Sequence, residues 1–361
     1  MNKLLSIPVL VLLACSAAVL VLDAQQRQMR EPGLQDALLL KDYRPQSIFN
    51  TPRTDVLKAK YPAIDMHMHA PRPNTDLQAA ADEILKNMDA TNVQKTILFA
   101  GTGKTFDQLA AVFGKHPDRF ELWCGFDFSN FPASTLAGLE ACVKAGGKGL
   151  GEISDKGTGY RGVEPMHLDD PRMDPILEKV ADLGLPMNVH MGDPQWMYEP
   201  MDASNDLLFE ALYWRRDNKN DDKDLAGMLQ VLENAVRKHP RVTFIACHFA
   251  NQTFDLDRLA KLLDKYPNLY ADTSQRESYV GAIPRFARQF MEKYADRIVY
   301  GTDQGHSLPM YRHSFRVFET LDEHFYAWDV ANTRFALSGL GLSDATLRKL
   351  YRDNALRLLK K

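Results

Sequence analysis

Short runs rich in β-branched and aromatic residues alternate with amphipathic stretches from Tyr61 to the end of the chain. The runs predicted as strands are Ala63–His69, Gln94–Ala100, Arg119–Phe126, Lys148–Ile153, Pro186–His190, Val242–His248, Asn268–Asp272 and Arg297–Tyr300. Each precedes a segment with helical periodicity, the last two being Gly281–Tyr294 and Met310–His324. Because strands that alternate with helices form a parallel sheet, and eight such units close on themselves, the pattern predicts an α/β protein with a (β/α)8 TIM barrel.

The first 24 residues have the pattern of an export signal. Lys3 precedes a mostly apolar, uncharged run that ends at Leu22, and the small residue Ala24 allows cleavage before Gln25. The run is also long enough for a membrane anchor, and the residues before Cys15 are similar to a lipobox, which would make Cys15 a lipidated N-terminus. We favour a cleaved signal. All three alternatives place the rest of the chain in the periplasm or on an envelope membrane.

Composition excludes several classes of protein. Of 361 residues, 45% are hydrophobic and 25% are charged, a balance that disordered chains lack, and the net charge of −3 gives no basic excess for nucleic-acid binding. Residues 25–60 contain three prolines and are predicted to be a tether and an arm, followed by one barrel domain over residues 61–361. Four cysteines are too few for a disulfide scaffold, so we expect Cys124, Cys142 and Cys247 to be buried free thiols.

Polar residues occupy the carboxyl ends of five of the predicted strands or follow directly after them. His67 and His69 alternate along the first strand, so both imidazoles point to the same side. The others, each at the end of an apolar run, are Glu152, His190, His248 and Asp303. The carboxyl ends of barrel strands form the face on which active sites lie, and four imidazoles with two carboxylates suit a divalent transition metal such as zinc.

These motifs resemble the amidohydrolase superfamily. The similarity is to its amidohydrolase-related branch, which includes aminocarboxymuconate-semialdehyde decarboxylase, and it extends from Ala63 to Leu359. The matching residues are Asp65-Met66-His67-Met68-His69, Val189-His190, Cys247-His248, Gly301-Thr302-Asp303 and the closing Asn354-Ala355-Leu356-Arg357-Leu358-Leu359. The resemblance implies that His67, His69, His190 and Asp303 are metal ligands, and that His248 is a ligand of a second metal or a free acid or base.

Glu152 departs from the one-metal pattern of that branch. The Gly151-Glu152-Ile153 sequence is instead similar to the TatD-type deoxyribonucleases, in which this glutamate bridges two metals. A bridging Glu152 would share one ion with His67, His69 and Asp303 and a second ion with His190 and His248. Otherwise Glu152 binds a ligand side chain or the substrate. We expect one ion, with two as the alternative.

The ligand set predicts hydrolysis as the main activity. A metal-bound water becomes hydroxide near neutral pH, Asp303 can accept its proton, and His248 can stabilise the oxyanion, so an exported hydrolase of an amide, lactone or ester is expected. The first alternative is a metal-dependent decarboxylase of a small conjugated or β-carbonyl acid. The second is a TatD-like phosphodiesterase.

Three residues outside the ligand set are candidates for substrate binding. Arg72 and Arg276 could each hold a substrate carboxylate, and Trp196 could form an aromatic wall. The expected partner is a small molecule and not a nucleic acid. Membrane contact is expected only through the N-terminal segment, and a homodimer is left open.

Overall fold

The computed structural model describes residues 33–212, 223–303 and 306–359. The chain divides between Arg44 and Pro45 into two compact units. The described residues of the first unit include helical turns at Leu34–Ala37 and Leu40–Asp42. The predicted export segment, with Cys15, lies outside the described residues. Among the helices that the structure describes, none has both the length and the apolar composition needed to cross a membrane.

The second unit alternates strands and helices. Its strands are β1 (Ala63–His69), β2 (Val93–Phe99), β3 (Phe120–Trp123), β4 (Leu150–Asp155), β5 (Met187–Met191), β6 (Phe244–Ala246), β7 (Leu269–Asp272), β8 (Ile298–Val299), β9 (Phe325–Ala327) and β10 (Thr333–Leu337). Its α-helices are α1 (Leu77–Thr91), α2 (Gly103–Phe113), α3 (Ala133–Lys144), α4 (Asp174–Asp182), α5 (Leu225–Lys238), α6 (Leu256–Lys265), α7 (Glu277–Ala282), α8 (Pro284–Lys293), α9 (Leu308–Glu319), α10 (Asp344–Arg348) and α11 (Asn354–Leu359).

Strands β1 to β8 form a closed parallel barrel. The order β1-β2-β3 and the order β4-β5-β6-β7-β8 are continuous parallel ladders. Parallel bridges between Cys124 and Leu150 and between Met68 and Asp303 join the two sheets at both edges. The predicted (β/α)8 barrel is therefore confirmed, and the carboxyl ends of all eight strands meet at one mouth.

Large apolar side chains fill the barrel interior. They form one buried cluster that contains Ile64, Met66, Ile97, Phe99, Trp123, Ile245, Tyr270 and Val299, together with Ala355 and Leu358 of α11. Two glycines of the fourth predicted strand make room for this filling, because a Cβ at Gly149 would overlap the Trp123 indole and one at Gly151 would overlap the Phe99 ring. The packed interior leaves the mouth as the place for chemistry.

The chain after β7 differs from the prediction in two places. The predicted helix Gly281–Tyr294 is two helices, α7 and α8, because Pro284 restricts Ile283 to non-helical angles and begins a new helix. The predicted helix Met310–His324 ends at Glu319, and the antiparallel hairpin β9–β10 follows, which the sequence did not predict. Both changes bring additional residues to the barrel mouth.

The structure corrects the prediction of three free thiols. Cys124 and Cys142 form a disulfide with their Cα atoms 6.2 Å apart, and Cys247 is the one free cysteine among the described residues. The prediction was wrong because sequence periodicity does not show that the end of α3 returns to the end of β3. Gly147 makes this approach close, since a Cβ there would overlap the sulfur of Cys142.

Residues 45–60, the part of the predicted arm that belongs to the second unit, pack against other segments of that unit. The backbone N–H of Thr54 donates to the Asp322 carboxylate at 2.8 Å, and the N–H of Ala59 donates to the carbonyl of Thr91 at 3.0 Å. These contacts link the arm to the segment before β9 and to the end of α1. The arm therefore leads directly into β1, which carries the first two predicted ligands.

Candidate metal centre

His67, His69 and Asp303 meet where the barrel closes. The backbone N–H of Asp303 donates to the carbonyl of His67 at 2.7 Å, and Asp303 has the left-handed φ of 68° that turns its carboxylate inward. Its Oδ1 is 3.5 Å from Nε2 of His67 and 3.2 Å from Nε2 of His69. Ligands that share one tetrahedral ion at about 2.1 Å are separated by about 3.4 Å, so the three side chains fit a single cation.

The Nε2 atom of His67, unpartnered in the described part of the chain, supports this interpretation. Its Nε2 is buried and has no hydrogen-bond partner among the described residues, whereas its Nδ1 is 2.8 Å from Oδ2 of Asp272. A carboxylate that accepts from one ring nitrogen fixes the tautomer and leaves the other nitrogen free to bind a metal. The residues therefore match what a divalent ion requires.

Glu152 lies at the centre of the four predicted histidines. Its Oε1 is 2.6 Å from Nδ1 of His190, 3.4 Å from Nε2 of His248 and 3.8 Å from Nε2 of His67, and its Oε2 is 3.6 Å from Nε2 of His69. Burial raises the pKa of the Glu152 carboxyl, but the neighbouring imidazoles, His190 above all, hold that pKa well below its usual range. Glu152 is thus an ionised carboxylate that could bind one ion or bridge two.

His190 is held differently from the other predicted ligands. Its Nδ1 faces Glu152, while its buried Nε2 has no hydrogen-bond partner among the described residues and is 3.7 Å from Oδ1 of Asp193. Burial lowers the pKa of His190, and the adjacent Glu152 more than offsets this and raises it. Two compact groups of candidate ligand atoms occur here. One is His67, His69 and Asp303, and the other is His67, Glu152, Cys247 and His248. His190 reaches the second group through Glu152.

Asp272, at the end of β7, connects the site and was not predicted as a site residue. Its Oδ2 accepts from Nδ1 of His67 at 2.8 Å and from Nδ2 of Asn188 at 2.9 Å, and its Oδ1 accepts from the backbone N–H of His248 at 2.8 Å and from the hydroxyl of Ser274. Burial alone would raise the pKa of Asp272, but the His67 imidazole holds it well below its usual range. The signal was present in the sequence, because Asp272 is the last residue of the predicted strand Asn268–Asp272.

The hydrogen bond of His248 indicates which of its ring nitrogens is available to the site. Its Nδ1 is 2.8 Å from the carbonyl oxygen of Ser274, which can only accept, so Nδ1 carries the proton and Nε2 is free. Burial and the Arg276 guanidinium lower the pKa of His248 to about 4. The free Nε2 faces Glu152 and the cavity, so it can bind a metal or accept a proton.

A left-handed turn places His248. The predicted strand Val242–His248 ends at Ala246, and His248, Phe249, Ala250 and Asn251 have φ values of 59°, 53°, 54° and 55°. Residues other than glycine rarely adopt this backbone conformation, and where they do the site is often functional. The turn brings Asn251 to Arg276, whose Nη2 donates to the Asn251 side-chain oxygen. The turn therefore fixes both the His248 imidazole and the Arg276 guanidinium beside the candidate metal ligands.

A cavity of about 510 Å³ opens above these residues. Its wall includes seven of the nine predicted site residues: Glu152, His69, His190, His248, Asp303, Arg276 and Trp196. The Trp196 indole N–H donates to the Tyr279 hydroxyl at 3.1 Å.

Arg72 is exposed and is absent from the wall. It was a candidate because it follows β1 closely, but the chain there runs out to the surface. A larger groove of about 670 Å³ lies around Tyr61 and Arg348 and contains none of the predicted ligands.

Comparison with known proteins agrees with this geometry. Residues 55–361 match the amidohydrolase family. The chain belongs to the amidohydrolase family. This confirms the resemblance seen in the sequence, while the TatD-like role of Glu152 stays a prediction. No curated protein sequence matches this member of the family.

Several solved structures share the fold of this amidohydrolase-family protein at low sequence identity. A 2,6-dihydroxybenzoate decarboxylase from Rhizobium aligns with a TM-score of 0.52 and 20% identity over 83% of this chain and 99% of its own. A dihydroxybenzoic acid decarboxylase from Polaromonas, with bound manganese and the inhibitor 2-nitroresorcinol, aligns with a TM-score of 0.53 and 16% identity over 83% of this chain and 97% of its own. A TIM-barrel protein from Bordetella bronchiseptica aligns with a TM-score of 0.50 and 14% identity over 82% of this chain and 98% of its own. The match at this identity establishes the fold.

Two substitutions distinguish the ligand arrangements by metal content. We expect His67→Ala to lose the ion, because His67 belongs to both groups of candidate ligands. We expect His248→Asn to keep one ion while the rate falls about 100-fold, the usual effect of losing an acid, base or oxyanion group. Elemental analysis of folded protein measures both. Loss of half the metal in His248→Asn would show two ions bridged by Glu152, and His116→Ala, outside the site, is the control.

Proposed function

We propose that this enzyme is a metal-dependent decarboxylase of a small conjugated acid. The observation that carries the proposal is a buried guanidinium beside the metal ligands. Arg276 is 6% exposed and lines the cavity, and its Nε has no hydrogen-bond partner among the described residues. A buried arginine with an unused donor is suited to bind a carboxylate. The two decarboxylases of dihydroxybenzoic acids with the same fold support this alternative over the hydrolase that we first expected.

The cation would be held by His67, His69 and Asp303, with Glu152 as a further ligand. When bound, a divalent ion supplies positive charge that stabilises the negative charge developing on the substrate. Mixed imidazole and carboxylate ligands accept zinc or manganese, and the Polaromonas enzyme contains manganese, so zinc is one of two candidates. One ion remains our proposal, with two as the alternative.

The proton needed by the reaction can come through His248. When the carbon–carbon bond of the acid breaks, CO2 leaves, the electron pair stays on the carbon, and that carbon must take a proton. The free Nε2 of His248 can accept the proton of an acidic hydroxyl on the substrate and return it to this carbon. Burial and the Arg276 guanidinium disfavour the resulting imidazolium, because they lower the pKa of His248 to about 4, so the proton passes on readily to the carbon while Nδ1–H stays hydrogen-bonded to the Ser274 carbonyl.

Hydrolysis is the second candidate, and two observations favour it. The same unprotonated Nε2 of His248 lies 3.4 Å from Glu152 and could accept a proton from water instead of from a substrate hydroxyl. The contacts of Glu152 with four imidazoles also suit a two-ion hydrolytic site, including that of a TatD-like phosphodiesterase. The reaction assay separates these activities.

Carbon dioxide release is the direct test of the proposed reaction. With manganese or zinc restored, we expect release from at least one acid of a hydroxybenzoate panel and no comparable hydrolysis of lactones, amides or phosphodiesters. Arg276→Lys should lower kcat/KM about 10- to 100-fold, because lysine keeps the charge but loses the forked donors. Arg241→Lys, an exposed arginine paired with Glu178, is the control. Hydrolysis without CO2 release would transfer the assignment to the second candidate.

We also propose that the enzyme is exported. The apolar segment 4–22 supports this, and so does the Cys124–Cys142 disulfide, because stable disulfides form mainly outside the cytoplasm. The mature chain should begin near Gln25 and contain one free thiol, at Cys247. N-terminal sequencing and thiol titration of protein from the native host measure both. An intact Met1 in a cytoplasmic fraction would contradict export, whereas lipid on Cys15 would change only the mode of attachment.

A further inference from the structure

Unpartnered buried polar atoms concentrate at one cavity. Ten buried side-chain nitrogen or oxygen atoms lack a hydrogen-bond partner in the part of the chain that the structure describes. Five of them belong to residues that line the cavity at the barrel mouth, namely His190, Glu210, Arg276, Glu277 and Thr333. Native proteins pair nearly all buried polar groups, so such a concentration indicates groups that pair with a ligand. His190 is a predicted metal ligand and Arg276 forms the proposed carboxylate subsite, which leaves three residues.

Of the three residues, Glu277 is the one whose burial most needs an explanation. It is the first residue of α7 and is 1% exposed, and its Oε1 has no hydrogen-bond partner among the described residues. Burial raises the pKa of its carboxyl well above the usual range. A buried neutral carboxyl can donate one hydrogen bond and accept others. Burying it without a partner destabilises the fold, so its presence on the wall requires a functional explanation.

Glu210 and Thr333 reach the same cavity from other parts of the chain. Glu210 lies in the loop after β5, its Oε1 is buried without a hydrogen-bond partner in the described chain, and burial raises its pKa to about 7 despite the nearby Arg276 and Arg334. Thr333 begins β10 and is 1% exposed, with its hydroxyl also unpartnered there. Three separate elements thus present unused hydrogen-bonding oxygens to one space.

We propose that Glu277, Glu210 and Thr333 form a second recognition subsite, which binds a hydroxyl or amino substituent of the acid whose carboxylate binds Arg276. Oxygen atoms predominate in this subsite, so it selects a group that donates hydrogen bonds. Trp196 and Tyr279 line the same cavity, which favours a planar aromatic frame between the two subsites. The inference rests on the proposed function for the acid group alone, and it deepens that proposal by naming the residues that recognise a second polar group of the substrate.

The test compares substituted benzoates as probes. Calorimetric titration of the metal-loaded enzyme with benzoate and with its 3- and 4-hydroxy and 3- and 4-amino derivatives gives each Kd. We expect at least one derivative to bind about tenfold more tightly than benzoate, the effect of one or two well-formed hydrogen bonds. Glu277→Met and Thr333→Val should reduce this preference to about twofold while leaving the Kd of benzoate and the metal content unchanged.

A matched control is available for the threonine. Thr253 is also buried with an unpartnered hydroxyl among the described residues, but it does not line the cavity, so Thr253→Val should keep the full preference. Thermal melting checks folding, and Glu277→Met should melt no lower than the parent enzyme because it removes a buried unpaired carboxyl. Glu210→Gln provides a variant in a loop if either of the others fails to fold.

The outcomes separate this inference from the proposed function. Equal binding of all the probes, no binding by any, or a preference that survives in the folded variants would overturn the subsite. A preference that disappears in the variants, in an enzyme that releases no CO2 from any hydroxybenzoate, would support the subsite and reject the decarboxylase.

Discussion

One buried carboxylate, Asp272, determines the geometry of the active site. It accepts hydrogen bonds from the His67 imidazole, the Asn188 amide, the Ser274 hydroxyl and the backbone N–H of His248. A charge buried without such partners would be strongly destabilising, so the four donors and the carboxylate depend on one another. Through these contacts, strands β1, β5 and β7 and the turn after β6 hold their polar groups in one arrangement. As a result, Nε2 of His67 faces Asp303 and Glu152, and Nε2 of His248 faces Glu152 at the cavity wall.

The remaining parts of the site are built on this core by segments outside the barrel. The left-handed turn after β6 supplies Asn251, which holds Arg276, while α7 supplies Glu277 and the hairpin supplies Thr333. The barrel therefore carries the candidate metal ligands, and the connecting segments carry the groups that we propose to select a substrate. This division is general for barrels of this kind, whose chemistry is conserved in position while specificity varies with the loops.

The sequence predicted the features that follow from the regular alternation of strands and helices. Apolar strands ending in polar residues gave the barrel, and the positions of His67, Glu152 and Asp303 at its mouth followed from strand direction alone. The role of Asp272 was missed because a carboxylate after a strand is as often a turn residue, and only tertiary contacts show its partners. The Cys124–Cys142 pair and the hairpin depend on where loops return. Arg72 was chosen by distance along the chain, which does not determine the direction of a loop.

Metal affinity of an Asp272→Asn variant tests the central claim most directly. The account predicts a Kd for manganese or zinc weakened about 10- to 100-fold in a folded protein, because asparagine cannot fix the His67 tautomer as a carboxylate does. Asp155→Asn is a matched control, since Asp155 is equally buried and pairs with His167 at 2.7 Å outside the ligand set. Weakened binding in Asp272→Asn alone would agree with the account. Unchanged affinity in folded Asp272→Asn, or equal weakening in both variants, would contradict it.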